Sequence, residues 1–106
     1  MSIEADSIQG VMINNQTIIL DPNVQQDLEQ KGYGEIEKKK LILKPFEALY
    51  LLYIDKLTIF KGKNNINFDS LLQICKKQDD DLLTKFLVYR DLRTRGYTVK
   101  DGFGFG

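Results

Sequence analysis

The sequence predicts an α+β fold, a small and largely antiparallel sheet with three to four helices, which ends at the start of a second domain. Three observations support this prediction. Short β-rich segments meet at Asn14 and Asn15, a nearly all-apolar segment follows Pro45, and glycines alternate with phenylalanines in residues 102–106. The 106 residues are enough for one domain with a substantial core.

The first elements predicted are a β-hairpin and a surface helix. Residues 8–13 and 17–20 are rich in β-branched and other apolar side chains, and the asparagines between them tolerate the left-handed backbone of a tight turn. Asp21 is a favoured N-cap and Pro22 a favoured first helical residue. We therefore expect a helix over residues 22–31 that ends at the next glycine.

A turn, a charged segment and a second strand precede the core helix. Residues 32–34 are a Gly-Tyr-Gly turn, and the charged residues 35–40 are expected to form a loop or a strand edge. Residues 41–43 are expected to form a short strand that ends before Pro45. The helix from residue 45 to about 54 has almost no polar face, which predicts that it is buried.

The second half of the chain predicts a strand, a turn and two helices. Residues 57–60 have strand composition, and residues 62–65 are expected to form only a turn. Asn67 is expected to cap a helix that ends near residue 78. The last helix, residues 80–95, carries apolar residues on several sides, which is expected of a helix between two domains.

Composition narrows the possible functions. Lys plus Arg and Asp plus Glu are each 15, so the chain lacks the basic excess typical of proteins that bind nucleic acid by bulk charge. There is no histidine and one cysteine, Cys75, which nearly excludes zinc sites and histidine-assisted nucleophiles. We expect no cofactor and no metal. With neither a signal peptide nor a membrane span visible, we expect a cytoplasmic location and no membrane partner.

Three segments carry a family resemblance. Residues 89–106 read Tyr-Arg-Asp-Leu-Arg-Thr-Arg-Gly-Tyr-Thr-Val-Lys-Asp-Gly-Phe-Gly-Phe-Gly, and they resemble the hinge between the two domains of archaeal tRNA-splicing endonucleases, the tRNA-intron endonucleases. Residues 31–35 resemble the family's Gly-Tyr-Gly turn, and residues 45–52 its Glu-Ala-Leu-Tyr-Leu helix. The resemblance spans roughly residues 28–106. Gly104 departs from it, since the family usually has a lysine there.

The resemblance implies two domains. Residues 1–95 would be the amino-terminal α+β domain of the tRNA-intron endonuclease type. Residues 96–106 would be the start of the catalytic domain, with its first strand at residues 97–100 and a glycine-rich segment after it. We expect this portion either to belong to a longer endonuclease or to be a shortened non-catalytic subunit. The first is favoured because Gly-Phe-Gly-Phe-Gly is an unusual way for a folded chain to end.

The resemblance also implies a reaction. The family excises introns from precursor tRNA by metal-independent cleavage, which leaves 2′,3′-cyclic phosphate and 5′-hydroxyl ends. Its tyrosine, histidine and lysine lie downstream of the segment that aligns with residues 102–106, so none can be assigned here. This portion is expected to be inactive alone and to act in scaffolding, assembly and possible RNA contact. The expected partners are precursor tRNA and other endonuclease subunits in an oligomer. The alternative is a small protein-interaction domain or structural subunit without catalysis.

Two basic clusters are candidates for contact with RNA phosphates. One cluster is the lysines of residues 38–40, for which the alternative is that they form a solvated loop. The other is the arginines near the end of the last helix. Their alternative role is to complement the helix dipole and to pair with Asp91 or Asp101. Tyr50 and Tyr53 could stack on bases but are expected to pack in the core, and residues 79–81 are expected to cap a helix rather than bind a cation. The candidate RNA-binding residues are Lys38, Lys39, Lys40, Arg90, Arg93 and Arg95.

Overall fold

The structure, a computed structural model, describes residues 8–96 of the chain. The predicted α+β class is confirmed, with four helices and six strands in this part of the chain. The predicted strand at residues 97–100 lies outside the described residues. In chain order the elements are β1 (Ile8–Ile13), β2 (Gln16–Ile19), α1 (Pro22–Gln30), β3 (Glu35–Glu37), β4 (Lys40–Leu43), α2 (Pro45–Tyr53), β5 (Leu57–Lys61), β6 (Asn64–Ile66), α3 (Phe68–Lys76) and α4 (Leu82–Thr94).

The strands form one mixed sheet in the order β3-β4-β2-β1-β5-β6. Four of the pairings are antiparallel, as predicted. The fifth, between β1 and β5, is parallel, with Ile8 opposite Leu57. A parallel pair needs a long connection. Here that connection contains β2, α1, β3, β4 and α2, which places α2 across the sheet.

Two tight turns have the left-handed backbone that two-residue hairpins require. Asn14 and Asn15 have φ of 54° and 64°, which confirms the hairpin of β1 and β2. Lys38 and Lys39 have φ of 51° and 67° and join β3 to β4. The charged segment that was predicted as a loop or a strand edge is thus an edge strand with its turn.

The strand β6 corrects the prediction for residues 62–65. Only Gly62 and Lys63 form the turn, and the chain returns at once to pair with β5, with Ile66 opposite Ile59. Asparagine is uncommon in strands, so the two asparagines of β6 gave no sequence signal for a strand. Burial of Ile66 against the core overrides that preference, since only 8% of this residue is exposed.

The core lies between one face of the sheet and helices α2, α3 and α4. The prediction that the helix after Pro45 is buried is confirmed for its first two turns, although Tyr53 at its end is 54% exposed. Alternate strand residues point into this core, as a two-sided sheet requires. The strand residues buried there are Met12, Ile19, Leu41, Leu43, Leu57, Ile59 and Ile66.

Helix α1 is attached to strand β2 and to the turn between β3 and β4. The Asp21 carboxylate accepts the backbone N–H of Asn23 at 2.9 Å, as an N-cap should. The buried Gln25 side chain donates to the carbonyls of Ile19 at 2.8 Å and Lys39 at 2.9 Å.

Among the helices within residues 8–96, none has the length and apolar character needed to cross a membrane.

Candidate functional site

The carboxyl end of α4 is attached to the Gly-Tyr-Gly turn through Arg93. Its guanidinium carbon lies 4.0 Å from the centre of the Tyr33 ring, which is a cation–π contact. The same side chain donates from Nη2 to the carbonyl oxygen of Lys31 at 3.0 Å. That carbonyl belongs to the C-cap of α1, where helix carbonyls lack partners within the helix. Arg93 therefore joins α4 to both α1 and the turn that follows it.

A buried carboxylate joins the same turn to α2. Glu47 is only 3% exposed. Its Oε2 atom accepts the backbone N–H of Gly34 at 3.1 Å, and its Oε1 atom accepts the N–H of Lys44 at 2.8 Å. Two N–H donors on one carboxylate make a strong, oriented contact. Glu47 thus holds the Gly-Tyr-Gly turn against the first turn of α2.

Tyr89 of α4 packs against two aromatic rings of α2. It is fully buried, and its ring centre lies 4.9 Å from that of Phe46 and 5.6 Å from that of Tyr50. Its hydroxyl has no hydrogen-bond partner among the described residues. Burial raises the pKa of this hydroxyl, and the negative charge of Glu47 raises it further. We call the following group the motif junction: Tyr33, Gly34, Glu47, Tyr50, Tyr89 and Arg93.

The two buried tyrosines of the motif junction that lie beside Arg93 are poorly suited to proton transfer near neutral pH. Burial raises the pKa of the Tyr33 hydroxyl, an effect that the nearby Arg93 opposes, and the pKa of Tyr89 is raised as well. A general base must lose its proton near the working pH, which these two hydroxyls do not do. Both Glu47 oxygens already accept backbone N–H groups. The contacts of the motif junction connect α4 to α1, to α2 and to the Gly-Tyr-Gly turn.

The amino end of α4 is held by a second contact. The Asp79 carboxylate lies 2.7 Å from Nζ of Lys85 and accepts the backbone N–H of Asp81 at 3.0 Å. The hydrogen bond from Lys85 holds the pKa of Asp79 below its ordinary value. Within residues 8–96, no three His, Cys, Asp or Glu side chains are grouped as they would be to hold a metal ion.

The three predicted lysines lie together on one exposed turn. Lys38 and Lys39 form the turn between β3 and β4, and Lys40 is the first residue of β4. All three are exposed. The turn is held in place because the Lys39 carbonyl accepts a hydrogen bond from Gln25. The backbone of the turn is anchored by this hydrogen bond, while the three lysine side chains are exposed to solvent.

The three predicted arginines have different surroundings. The guanidinium carbon of Arg90 lies 5.5 Å from the centre of the Tyr53 ring, and Arg93 belongs to the motif junction. Arg95 is exposed and its Nε lies 3.3 Å from Oδ2 of Asp91, the pairing expected in the alternative interpretation. Asp101 lies outside the described residues. Contact with RNA stays a prediction for all three.

Comparison with known families identifies the chain. Residues 8–72 match the family model described as tRNA intron endonuclease, N-terminal domain. Residues 82–106 match the model described as tRNA intron endonuclease, catalytic C-terminal domain. The chain belongs to the tRNA intron endonuclease family. The resemblance predicted from the three motifs is therefore confirmed.

Archaeal tRNA-splicing endonucleases are among its relatives. The chain is 42% identical to that of Pyrococcus furiosus over 76 residues, which cover 72% of the chain and 45% of the relative. It is 38% identical to that of Methanococcus vannielii over 101 residues, which cover 94% of the chain and 57% of the relative. The chain spans about half the length of the curated relatives it matches. The catalytic-domain match begins at Leu82, the first residue of α4, while the domain boundary after residue 95 stays a prediction.

In the structure the three family motifs meet at the motif junction. Each supplies part of the motif junction: the turn supplies Tyr33 and Gly34, α2 supplies Glu47, and α4 supplies Tyr89 and Arg93. Sequence reasoning missed the role of Glu47. The available signal was a carboxylate inside an otherwise apolar helix, because such a group is buried only when it has partners.

Proposed function

We propose that this chain is the supporting portion of a tRNA-splicing endonuclease that excises introns from precursor tRNA. Its archaeal relatives are named tRNA-splicing endonucleases, and the two family models match it in the order expected of that protein. The observation that carries the proposal is the motif junction. It attaches α4, where the catalytic-domain match begins, to α1, to α2 and to the Gly-Tyr-Gly turn that follows α1.

The proposed reaction is the metal-independent, lyase-type cleavage of the family. The ribose 2′-hydroxyl gives up its proton and attacks the adjacent phosphorus, and the 5′-oxygen leaves with a proton. The products are a 2′,3′-cyclic phosphate and a 5′-hydroxyl. This needs a base, an acid and a cation for the developing phosphorane charge. The chain contains no histidine, and burial raises the pKa values of Tyr33 and Tyr89, so we assign it support and not catalysis.

Contact with RNA is proposed first for the lysine turn. Lys38, Lys39 and Lys40 are exposed on the hairpin of β3 and β4, which suits phosphate contacts that position RNA without reading bases. Arg95 is also exposed, but it pairs with Asp91. Arg90 and Arg93 already contact aromatic rings of the domain, so they rank lower.

The lysine turn can be tested without disturbing the fold. Lys38 and Lys39 have left-handed backbone, which asparagine tolerates. The Lys38→Asn/Lys39→Asn variant should therefore fold normally, bind precursor tRNA more weakly, and show a salt dependence shallower by about two phosphate contacts. A matched variant, Lys61→Asn/Lys63→Asn, should bind as the parent does. If the first variant binds precursor tRNA with the same affinity and the same salt dependence as the parent, the lysine turn does not contact the RNA.

The proposed partners are precursor tRNA and further endonuclease subunits, in an archaeal, cytoplasmic oligomer. The test of the whole proposal is cleavage of a precursor tRNA with a bulge–helix–bulge junction by the full-length product of the gene. We expect cleavage at both junctions in EDTA, with 2′,3′-cyclic phosphate ends, and no cleavage by the 106-residue chain. Rapid metal-independent cleavage by the pure 106-residue chain would overturn the supporting role.

A non-catalytic structural subunit or small interaction domain is the second candidate. The observation that favours it is the balanced charge of these 106 residues, in which Lys plus Arg and Asp plus Glu are each 15, without the basic excess typical of nucleic-acid binding. This candidate predicts that the full-length gene product never cleaves precursor tRNA alone. A structural subunit would restore cleavage when mixed with a catalytic subunit, whereas an unrelated interaction domain would not.

A further inference from the structure

Two turns of the sheet have the same kind of backbone and different residues. Asn14 and Asn15 join β1 to β2 with φ of 54° and 64°, and Lys38 and Lys39 join β3 to β4 with φ of 51° and 67°. Asparagine is enriched in this left-handed conformation, whereas lysine adopts it only at a cost in free energy. The first turn therefore has residues that suit its geometry, and the second has lysines that its geometry disfavours. Such an outlier is a reason to look for a function at that position.

The lysine turn lies at the end of a short hairpin on the edge of the sheet. Strand β3 has three residues, all of them exposed, and it is the outermost strand on its side. On the other side of the hairpin, the pair of Ile19 with Leu41 is the last one between β2 and β4, and the turn lies beyond it. A short, exposed hairpin of this kind opens at a low free energy. The turn therefore depends on contacts from outside the hairpin.

Gln25 supplies such a contact from α1. This residue is 5% exposed, and its Nε2 atom donates to the Lys39 carbonyl at 2.9 Å and to the Ile19 carbonyl at 2.8 Å. An amide nitrogen carries two hydrogens, so both of them are used. One acceptor is the last residue of β2 and the other is in the turn. The amide thus links the turn to the sheet at the point where the pairing of β2 with β4 has ended.

We propose that Gln25 is a positioning residue, which holds the lysine turn in one place so that its ammonium groups meet RNA phosphates. Gln25 itself does not touch the RNA. Because the turn is held before the RNA arrives, less conformational freedom is lost when the phosphates are contacted, and binding is stronger. The inference rests on the proposed contact of the lysine turn with RNA, and it adds the buried residue on which the strength of that contact depends.

Limited trypsin digestion of the full-length gene product tests whether Gln25 holds the turn. Trypsin cuts after lysine and needs a locally opened chain, so the rate of cutting after residues 38–40 reports on opening of the turn. Gln25→Met keeps a similar size but has no donor, and it should raise this rate by about threefold or more. The matched control is Gln26→Met, because Gln26 is exposed on the same helix. Equal rates in the two variants would overturn the inference.

Binding of precursor tRNA tests whether the held turn matters to RNA. The probe carries 2′-deoxyribose at both junctions, so it lacks the hydroxyls that start the proposed cleavage. We expect Gln25→Met to weaken binding by about three- to tenfold and to make its salt dependence shallower, because fewer lysines reach phosphates at the same time. Gln26→Met should bind as the parent does. A merely structural role for Gln25 would lower the fraction of folded protein and leave the salt dependence unchanged, which would overturn the inference.

A double-mutant cycle separates this inference from the proposed function. In the Lys38→Asn/Lys39→Asn background there are no lysines to position at those two sites, so Gln25→Met should weaken binding by less than about twofold. Gln25→Ala removes the same donors without adding bulk, and it should give the same result if Gln25→Met folds poorly. An equal loss in both backgrounds would overturn the inference and keep the proposed contact. If Lys38→Asn/Lys39→Asn alone binds as the parent does, the proposed contact and the inference are both wrong.

Discussion

The guanidinium of Arg93 lies over the ring of Tyr33, with 4.0 Å between its carbon and the ring centre. One residue is near the end of α4 and the other follows α1, so the contact joins parts of the chain that are distant in sequence. The same arginine donates to the Lys31 carbonyl. The arginine and tyrosine of two family motifs are therefore explained by one contact, which fixes the helix at which the catalytic-domain match begins.

Gly34 should be far less tolerant of a side chain than Gly62. Both have positive φ, 66° and 63°, so alanine strains the backbone equally at the two positions. A Cβ at Gly34 would also lie 2.9 Å from the Ile42 carbonyl oxygen, whereas nothing lies within 4 Å at Gly62. We expect Gly62→Ala to lower the free energy of unfolding by about 1 kcal/mol and Gly34→Ala by about 3 kcal/mol. Denaturant titration measures both, and equal losses would contradict the close approach.

Glu47 should be essential to the turn that it holds. Glu47→Ala leaves the N–H groups of Gly34 and Lys44 without their acceptor, which should lower the free energy of unfolding by about 3 kcal/mol. Glu47→Gln keeps one acceptor oxygen and should lose about half as much. Glu37 is exposed, so Glu37→Ala should change stability by less than about 0.5 kcal/mol. A Glu47→Ala loss as small as that of Glu37→Ala would show that the two hydrogen bonds contribute nothing.

The Tyr89 hydroxyl should be dispensable. It is buried without a hydrogen-bond partner among the described residues, while its ring packs on Phe46 and Tyr50. Removal of an unpaired buried hydroxyl is neutral or stabilising, so Tyr89→Phe should leave thermal stability unchanged or raise it by about 1 kcal/mol. Tyr89→Ala should cost about 4 kcal/mol, because it leaves a cavity. A large loss for Tyr89→Phe would reveal a bound water or another partner at the hydroxyl.

The contact between Asp79 and Lys85 should give stability that disappears in acid. The hydrogen bond from Lys85 holds the folded-state pKa of Asp79 below the unfolded value of about 3.9. The unfolded state therefore takes up the proton first, so the contribution is complete above that pH and is lost as pH falls through the folded pKa. The parent should be more stable than Asp79→Asn at pH 7, by less than about 1 kcal/mol for this half-exposed pair. The difference should shrink below about pH 4. A difference that stays constant to pH 2 would contradict this account.

Local signals predicted most of the elements. Asparagines with positive φ form the first turn, Asp21 and Asn67 cap helices as expected, and Gly96 has the left-handed backbone of a residue after a helix. These features depend on a few neighbouring residues, which the sequence displays directly. The strand β6 was missed because its asparagines are poor strand formers and its pairing with β5 is decided by the burial of Ile66.

The contacts of the candidate site were harder to predict from the sequence than the helices and strands. Arg90, Arg93 and Arg95 are alike in the sequence, yet one contacts an exposed ring, one ties two helices together and one forms a surface ion pair. Which arginine meets Tyr33 depends on how α4 crosses α2, a long-range relationship that no local pattern encodes. The resemblance identified the motifs but not the contacts that join them.

A double-mutant cycle on Tyr33 and Arg93 tests the central claim most directly. The free energy of unfolding would be measured for the parent, Tyr33→Leu, Arg93→Met and the double variant. We predict a coupling energy of about 1 kcal/mol between the two residues, and a coupling near zero when Arg95→Met replaces Arg93→Met as the control. A coupling between Tyr33 and Arg93 that is indistinguishable from the control would contradict the claim that this contact fixes α4 to the amino-terminal domain.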